Sequence, residues 1–146
     1  MDFEFRAVIA RPLADVFAFF RDLDQHAGQE GSVVPVYDKV TPGPTGVGTR
    51  YREVIRLLPG LTAEMWSEIT AYEPERRLAY RFSGMGMDGL LDYEFEATGE
   101  GTLIVQRQSL HPRGLLNLLN PLIKPAFSRA AGNRLEGIKH LLESKT

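Results

Sequence analysis

The side chains best suited to chemistry in this chain are a glutamate, an arginine and three tyrosines, in segments where polar and apolar residues alternate. Every second side chain of a β-strand points to the same face, so the alternation places Glu53 and Arg107 on a face that should be apolar. Burying an isolated charge is very costly. The two charged groups could therefore orient the polar head of a ligand, or Glu53 could act as a general base if burial raised its pKa.

Plainer roles for these residues stay open. Glu53 and Arg107 could form a structural salt bridge, or a bulge could turn one of them outward. Tyrosine hydroxyls suit a ligand pocket and a satisfied core equally well, and methionines adapt to ligands but also fill gaps in packing. The sequence assigns no catalytic residue. The candidate ligand-binding residues are Tyr51, Glu53, Met65, Tyr80, Phe82, Tyr93, Arg107 and Phe127.

Residue types and spacing exclude several kinds of site. The chain has no cysteine, which rules out disulfides, thiolate zinc sites and cysteine nucleophiles. Its three histidines, His26, His111 and His140, lie far apart and lack the spacing of metal ligands. No serine lies in a nucleophile-elbow pattern. We therefore expect no metal and no cofactor.

The composition is that of one globular domain spanning residues 1–146, because 43% of the residues are hydrophobic and 25% are charged. The formal net charge of -2, from 17 basic and 19 acidic residues, provides no electropositive field for nucleic acid. The lack of cysteine, and the lack of a basic and then apolar leader at the N-terminus, favour the cytoplasm.

The longest apolar-rich stretch, residues 115–123, contains two asparagines and a proline. It is much shorter than the run of about 20 apolar residues that crosses a bilayer, so we expect no integral membrane association. This stretch could cap a cavity, which is the simpler use, or it could contact a membrane or a partner.

Strand patterns fill most of the chain between two helical patterns. Residues 3–9 alternate as a first strand, Pro12 begins a short helix, and about six or seven strands are predicted in total, the later ones between residues 33 and 109. From Gly114 the apolar period is helical. Pro121 and Pro125 predict that this closing helix starts late, kinks or splits, with its regular part over residues 125–143. The order predicts an α+β fold in which the closing helix packs on the concave face of one antiparallel sheet.

The opposite faces of the strands carry arginines and acidic residues, which predicts a solvated ladder of cross-strand charge pairs. Trp66 is the exception on that outward face. A large exposed aromatic side chain can mark a homodimer or partner surface, although a neighbouring segment could also cover it.

Four segments together resemble a known family: residues 10–17 (ARPLADVF), 46–51 (GVGTRY), 69–82 (ITAYEPERRLAYRF) and the closing helix. Their order and spacing are similar to those of the SRPBCC superfamily, the START-like, helix-grip proteins that include polyketide cyclase/dehydrase-like and lipid-transfer domains. The resemblance covers nearly the whole chain. It implies a curved antiparallel sheet wrapped around the long C-terminal helix, one or two short helices after the first strand, and a largely apolar cavity that holds a hydrophobic small molecule.

Three functions stay open, because a fold alone does not name a chemistry. The first is binding of a hydrophobic small molecule, such as a lipid, a polyketide or an aromatic compound, in the cavity. The second is a polyketide cyclase/dehydrase-type enzyme in which Glu53, a tyrosine or Arg107 moves protons. The third is a protein-interaction module that acts through Trp66 and the outer face of the sheet.

Overall fold

The structure is a computed structural model that describes residues 1–26 and 36–144. There are two short 3₁₀ helices in the described residues: Leu23–His26 follows the first α-helix, and Gly114–Leu119 precedes the second. The other elements are β1 (Asp2–Ile9), α1 (Leu13–Arg21), β2 (Val36–Lys39), β3 (Arg50–Leu58), β4 (Leu61–Glu73), β5 (Arg77–Gly84), β6 (Met87–Thr98), β7 (Gly101–Pro112) and α2 (Asn120–Ser144).

The seven strands of the described residues form one antiparallel sheet in the order β1-β7-β6-β5-β4-β3-β2. The long helix α2 lies over the concave face of this sheet, so the predicted α+β, helix-grip architecture is confirmed. Pro12 precedes the first turn of α1, as predicted. The predicted start of the second strand, residues 33–35, lies outside the described residues, and β2 begins at Val36.

The turn between β6 and β7 contains only two residues, and this length decides which side chains of β7 face inward. Thr98 pairs with Gly101, so Tyr93 lies opposite Gln106. A three-residue connection over residues 99–101 would instead place Tyr93 opposite Arg107, as the predicted inward position of Arg107 requires. A shift of one residue moves every side chain of a strand to the other face. Arg107 therefore lies on the outer face, and its predicted position on the inner face is wrong.

The closing helix begins earlier than the prolines predict. Pro121 falls in the first turn of α2, where backbone N–H groups have no partner within the helix, so its missing donor costs nothing there. Pro125 lies inside the helix and removes one further donor. The prediction of a regular helix that begins only at residue 125 is therefore wrong by one to two turns, and a 3₁₀ helix precedes α2 directly.

The C-terminal half of α2 attaches it to the rest of the protein. Its fully buried residues are Leu135, Ile138 and Leu142, and all three lie in that half. At the same end, the backbone N–H of Ala10 donates to Glu143 Oε2 at 3.0 Å, and the Arg11 guanidinium donates to the Leu142 carbonyl at 3.0 Å. The N-terminal half, residues 120–134, has only exposed or half-buried side chains. The helix is thus anchored at one end.

Aromatic packing joins α1 to the inner face of the sheet. The ring centroid of Phe20 lies 4.9 Å from that of Tyr93 and 5.4 Å from that of Phe95, both edge to face. Phe17 lies 5.2 Å from Phe95 in a similar arrangement. Such pairs add about 0.5–1.5 kcal/mol beyond the burial of area, so α1 holds Tyr93 firmly at the base of the concave face.

Candidate functional site

A small cavity lies between the concave face of the sheet and α2. Its volume is about 20 Å³, which is enough for one water molecule. Pockets that hold drug-sized ligands measure roughly 300–1,000 Å³, so a larger ligand needs the walls to move. The cavity is lined by Leu23, Tyr37, Glu53, Ser67, Tyr80, Phe82, Leu91, Tyr93 and Arg134.

A buried ion pair joins the sheet to the helix across this cavity. Glu53 of β3 and Arg134 of α2 approach to 3.8 Å between Oε2 and Nη2, and their side chains are only 10% and 21% exposed. This distance is longer than the 2.7–3.2 Å of a direct hydrogen bond. The two groups therefore form an ion pair without a direct hydrogen bond, and each keeps hydrogen-bonding capacity for a water molecule or a polar atom of a ligand.

Burial changes the acid–base properties of this site. Desolvation raises the pKa of Glu53, and the positive charge of Arg134 opposes that rise. Desolvation likewise raises the pKa of Tyr93 and of Tyr80. Burial raises the pKa of Tyr51 to about 12, against a smaller opposing influence of Thr45. The tyrosines are therefore neutral hydrogen-bonding groups at physiological pH. Among the acidic groups of this site, Glu53 is the one best able to gain and lose a proton.

Four tyrosine rings surround the ion pair. The Tyr51 centroid lies 5.0 Å from that of Tyr37 and 6.2 Å from that of Tyr80, and the Tyr80 centroid lies 6.4 Å from that of Tyr93. The Arg134 guanidinium sits 5.5 Å from the Tyr37 centroid, in a cation–π contact. The site therefore offers flat aromatic walls around one carboxyl group and one guanidinium cation.

Two hydroxyls in this region are buried without a hydrogen-bond partner among the described residues. They are Tyr51 Oη and Ser67 Oγ, and the two residues lie opposite each other in the β3–β4 ladder. The Tyr51 hydroxyl is near Thr45, but the pair does not have the geometry of a hydrogen bond. Buried polar groups in folded proteins are nearly always satisfied. These hydroxyls are thus available to a ligand or to water.

The structure brings most of the sequence-predicted site residues together. Tyr51, Glu53, Met65, Tyr80 and Tyr93 are buried on the inner face, as predicted. The other three predicted residues, Phe82, Phe127 and Arg107, are less buried than the first group. Phe82 is half-buried and lines the cavity; Phe127 is half-buried on α2 but is not part of the lining; Arg107 is exposed and pairs with Glu94 at 3.0 Å.

Phe82 depends on the glycine opposite it. Gly89 pairs with Phe82 in the β5–β6 ladder, and a Cβ at Gly89 would lie 2.2 Å from the Phe82 ring. The absent side chain gives the ring room to lie across the strand. The lack of a side chain at Gly89 therefore allows the Phe82 ring to occupy its position in the cavity wall.

Arg134 and Tyr37 belong to the site but were missed by the sequence interpretation. The signal for Arg134 was present, because it follows Ala131 by three residues and precedes Ile138 by four, which places it on the apolar stripe of the helix. Tyr37 faces Glu53 across the β2–β3 ladder. Its short strand follows a proline, so its face could not be assigned from alternation.

The outer face has a different character. A groove of about 420 Å³ runs past Trp66 and Leu90, which are 45% and 57% exposed. The Trp66 indole donates to Glu64 at 3.1 Å, so the predicted outward position of this side chain is confirmed. The predicted ladder of charge pairs is also present, with Arg52–Glu64 at 2.9 Å, Arg81–Glu68 at 2.9 Å and Arg77–Asp92 at 2.6 Å.

Within residues 1–26 and 36–144, no cluster of three or more His, Cys, Asp or Glu side chains could hold a metal ion. Over the same described ranges, no helix combines the length and the apolar character needed to cross a membrane.

One family profile matches this sequence over residues 1–143, and it is described as polyketide cyclase/dehydrase and lipid transport. No curated protein matches the sequence.

Solved structures show the same fold at low sequence identity. The ZhuI aromatase/cyclase from a Streptomyces species is 12% identical with a TM-score of 0.84, over 98% of this chain and 93% of that one. TTHA0849 from Thermus thermophilus is 20% identical with a TM-score of 0.79, over 99% of this chain and 100% of that one. Ara h 8.0201 is 19% identical with a TM-score of 0.76, over 99% of both chains.

Proposed function

The chain belongs to the polyketide cyclase/dehydrase and lipid transport family, and from that premise we propose that it binds a hydrophobic small molecule between the concave face of the sheet and α2. The ligand class is a lipid, a polyketide or an aromatic compound. The observation that carries the proposal is a set of buried polar groups that the protein leaves incompletely paired. Ser67 Oγ and the Glu53–Arg134 pair line the cavity, and Tyr51 Oη belongs to the residue opposite Ser67 in the β3–β4 ladder.

The chemistry of the walls supports a ligand that is mostly apolar with one or two polar groups. The aromatic rings of the four tyrosines and Phe82 provide flat apolar surface, and apolar burial contributes about 25 cal/mol for each Å² removed from water. The hydroxyls and the ion pair would fix the orientation of the ligand. Arg134 takes the role that the sequence interpretation gave to Arg107.

The size of the cavity requires that α2 move when a ligand enters. A space of about 20 Å³ cannot hold a polyketide or an acyl chain. The N-terminal half of α2 is the element best able to move, because none of residues 120–133 is fully buried while its C-terminal half is anchored by Leu135, Ile138 and Leu142. Ligand binding would thus displace the part of α2 that precedes Leu135, including Arg134, from the concave face of the sheet.

A panel of apolar compounds tests this proposal by native mass spectrometry and thermal shift. The panel contains oleic acid, a flavonoid and a naphthalene-type aromatic polyketide. We expect at least one to raise the melting temperature of the wild type, and Ser67→Ala and Tyr51→Phe to weaken its binding about threefold to thirtyfold. Arg107→Gln is the matched control and should bind as the wild type does. If no compound stabilises the wild type, the proposal fails.

A second candidate function is catalysis of the cyclase/dehydrase type, and the raised pKa of the inward-facing Glu53 favours it. A buried carboxylate with a raised pKa is better placed to accept and return a proton near neutral pH. Arg134 would stabilise a developing enolate oxygen. In this function the tyrosine walls would hold a folded poly-carbonyl chain in a reactive geometry.

Substitution of Glu53 separates binding from catalysis. The wild type and Glu53→Gln would be incubated with a synthetic poly-β-ketone chain, and products would be followed by liquid chromatography with mass detection. Catalysis predicts that Glu53→Gln still binds the poly-β-ketone but forms cyclised product at least about a hundredfold more slowly. Equal rates for the two proteins would remove Glu53 from any mechanism.

Two expectations from the sequence stay predictions. The exposed Trp66 suits a homodimer or partner surface, which light scattering of the wild type and of Trp66→Ser would test. A cytoplasmic location rests on the absence of cysteine.

A further inference from the structure

Four leucines at the start of the closing helical region are exposed on one face. Leu115, Leu118, Leu119 and Leu122 have exposed fractions of 81%, 76%, 46% and 74%. They follow one another at i, i+3, i+4 and i+7, three in the 3₁₀ helix Gly114–Leu119 and one in the first turn of α2. We refer to these four residues as the leucine face.

The leucine face is turned away from the body of the protein. On the other side, Leu116 and Ile123 are half-buried, and Leu116 lies so close to Gly86 that a Cβ there would be 2.8 Å from Leu116 Cδ1. The helical region therefore has an inner side that packs on the β5–β6 hairpin and an outer side of leucines in solvent. Single exposed leucines are ordinary, but a contiguous row marks an interaction surface.

The charges near the leucine face are mostly basic, and Asp88 is the acidic side chain that pairs with one of them. Residues 101–135 contain five of the chain's 17 basic residues and none of its 19 acidic residues. Lys124 and Arg129 are exposed, two and seven residues after Leu122. Arg113, on its other side, is 61% exposed and pairs with Asp88 at 3.4 Å. The rest of the chain is acidic, so the basic character is confined to this region.

We propose that the leucine face is a peripheral docking site for the surface of an anionic lipid bilayer. Leucines on one side and Lys or Arg beside them are the two components of interfacial binding, because the apolar side chains enter the headgroup boundary while the basic ones contact anionic lipids. A second copy of the chain fits less well. A two-fold interface brings the same patch together from both copies, so Lys124 and Arg129 would face their own equivalents.

The position of the leucine face connects docking with ligand exchange. It lies at the weakly held end of α2, and insertion of its leucines into a bilayer would pull that end away from the sheet. This use for exchange rests on the proposed function, whereas docking itself rests only on the leucine face and the adjacent basic residues.

Sedimentation with sucrose-loaded vesicles tests the docking site. One vesicle preparation is pure phosphatidylcholine and the other contains about 30% phosphatidylserine, which supplies the anionic surface potential. We expect the wild type to sediment with the anionic vesicles, to remain largely in solution with the neutral ones, and to dissociate as salt rises from about 0.05 to about 0.5 M. Leu118→Ser with Leu122→Ser should weaken partitioning at least about tenfold. Lys124→Gln with Arg129→Gln should weaken it about tenfold or more.

Matched substitutions elsewhere on the surface serve as controls. Leu61→Ser with Leu90→Ser removes two leucines that are 51% and 57% exposed outside the leucine face. Arg56→Gln with Arg76→Gln removes two exposed basic residues of other strands and turns. Both control variants should sediment as the wild type does. Circular dichroism of every variant confirms that it is folded before it is compared.

Three outcomes would overturn docking to a bilayer. The first is a wild type that stays in solution with anionic vesicles at low salt. The second is equal loss of sedimentation in the control variants. The third is a wild-type dimer, seen by light scattering, that Leu118→Ser with Leu122→Ser converts to a monomer. Vesicle binding without binding of any compound would contradict the proposed function but support the docking site. Compound binding without vesicle binding would contradict the docking site but support the proposed function.

Discussion

The inner and outer faces of the sheet each hold an arginine beside a glutamate, and the two pairs differ in every physical respect. On the outer face, Arg107 and Glu94 lie 3.0 Å apart on adjacent strands, and both are about half exposed. On the inner face, Arg134 and Glu53 are 3.8 Å apart, are largely buried, and join a helix to a strand. The outer pair is in direct hydrogen-bonding contact and stays largely hydrated. The inner pair is farther apart and has lost most of its hydration.

This difference indicates which pair needs a functional explanation. Exposed pairs contribute about 0–1 kcal/mol and form wherever opposite charges meet on a sheet. A buried pair costs more to desolvate, and apolar residues of similar volume are often equally stable in its place. Stability therefore explains the outer pair adequately but does not explain the inner one. The inner pair is better explained by the ligand that we propose for the adjoining cavity.

The largest expected effect comes from removing one member of the inner pair. Arg134→Met leaves the carboxylate of Glu53 buried without a cation, and we expect it to lower the free energy of unfolding by about 3 kcal/mol. Urea unfolding followed by circular dichroism measures this. Arg107→Met on the outer face is the matched control, and we expect a loss below about 1 kcal/mol. Equal losses for the two variants would mean that the faces do not differ as described.

Removing both members of the inner pair should recover most of that loss. In Glu53→Met with Arg134→Met, no charge stays buried, so we expect a stability within about 1 kcal/mol of the wild type. A double-mutant cycle then gives a coupling of at least about 2 kcal/mol between the two sites, because Glu53→Met alone is also destabilising. The same cycle on Glu94 and Arg107 should give less than about 1 kcal/mol. A stable double variant that no longer binds any apolar compound would separate the role of the pair in binding from its role in folding.

Packing on the inner face gives a further contrast. Gly89→Ala places a methyl group against the Phe82 ring, and we expect a loss of about 1–3 kcal/mol in the free energy of unfolding. Gly46→Ala is its control, since a Cβ there meets nothing within 4 Å. Thermal unfolding of the two variants tests this. An unchanged Gly89→Ala would indicate that the wall of the cavity yields easily.

The smallest expected effect concerns pH. The pKa of Glu53 in the folded protein is raised above its ordinary value of 4.5. The stability that its protonated form contributes is therefore fully present below pH 4.5 and is lost as the pH rises through the raised pKa. In that window, urea unfolding at a series of pH values should show a fall of at most about 1.4 kcal/mol per pH unit for the wild type relative to Glu53→Gln. Parallel curves for the two proteins would contradict a raised pKa.

The sequence predicted the fold well because the signals for it were redundant. The alternation along β1 and β6, Pro12 before α1 and the closing helical stripe each indicate the same architecture, so one misjudged element does not change it. The start of α2 was misjudged because Pro121 falls where a helix needs no donor. A proline's position within the first turn, rather than its presence, decides whether a helix can begin.

The site was predicted less well because its composition depends on single-residue register. Glu53 and the tyrosines at 51, 80 and 93 were placed correctly, since their strands have only one apolar face. On β7 both alternating sets contain apolar residues, so the length of the preceding turn decides, and a two-residue turn brings Gln106 rather than Arg107 inward. Arg134 was overlooked because a charged residue on an apolar stripe was not considered as a partner for Glu53.

The pairing of the first strand with the last one has a consequence for how the chain is made. Asp2 lies opposite Ser109, so β1 has no neighbour until more than a hundred further residues have been synthesised. Contacts this distant in sequence are slow to form, and an unpaired strand can associate with other chains while it waits. During biosynthesis β1 is therefore the strand of the described sheet that waits longest for its partner.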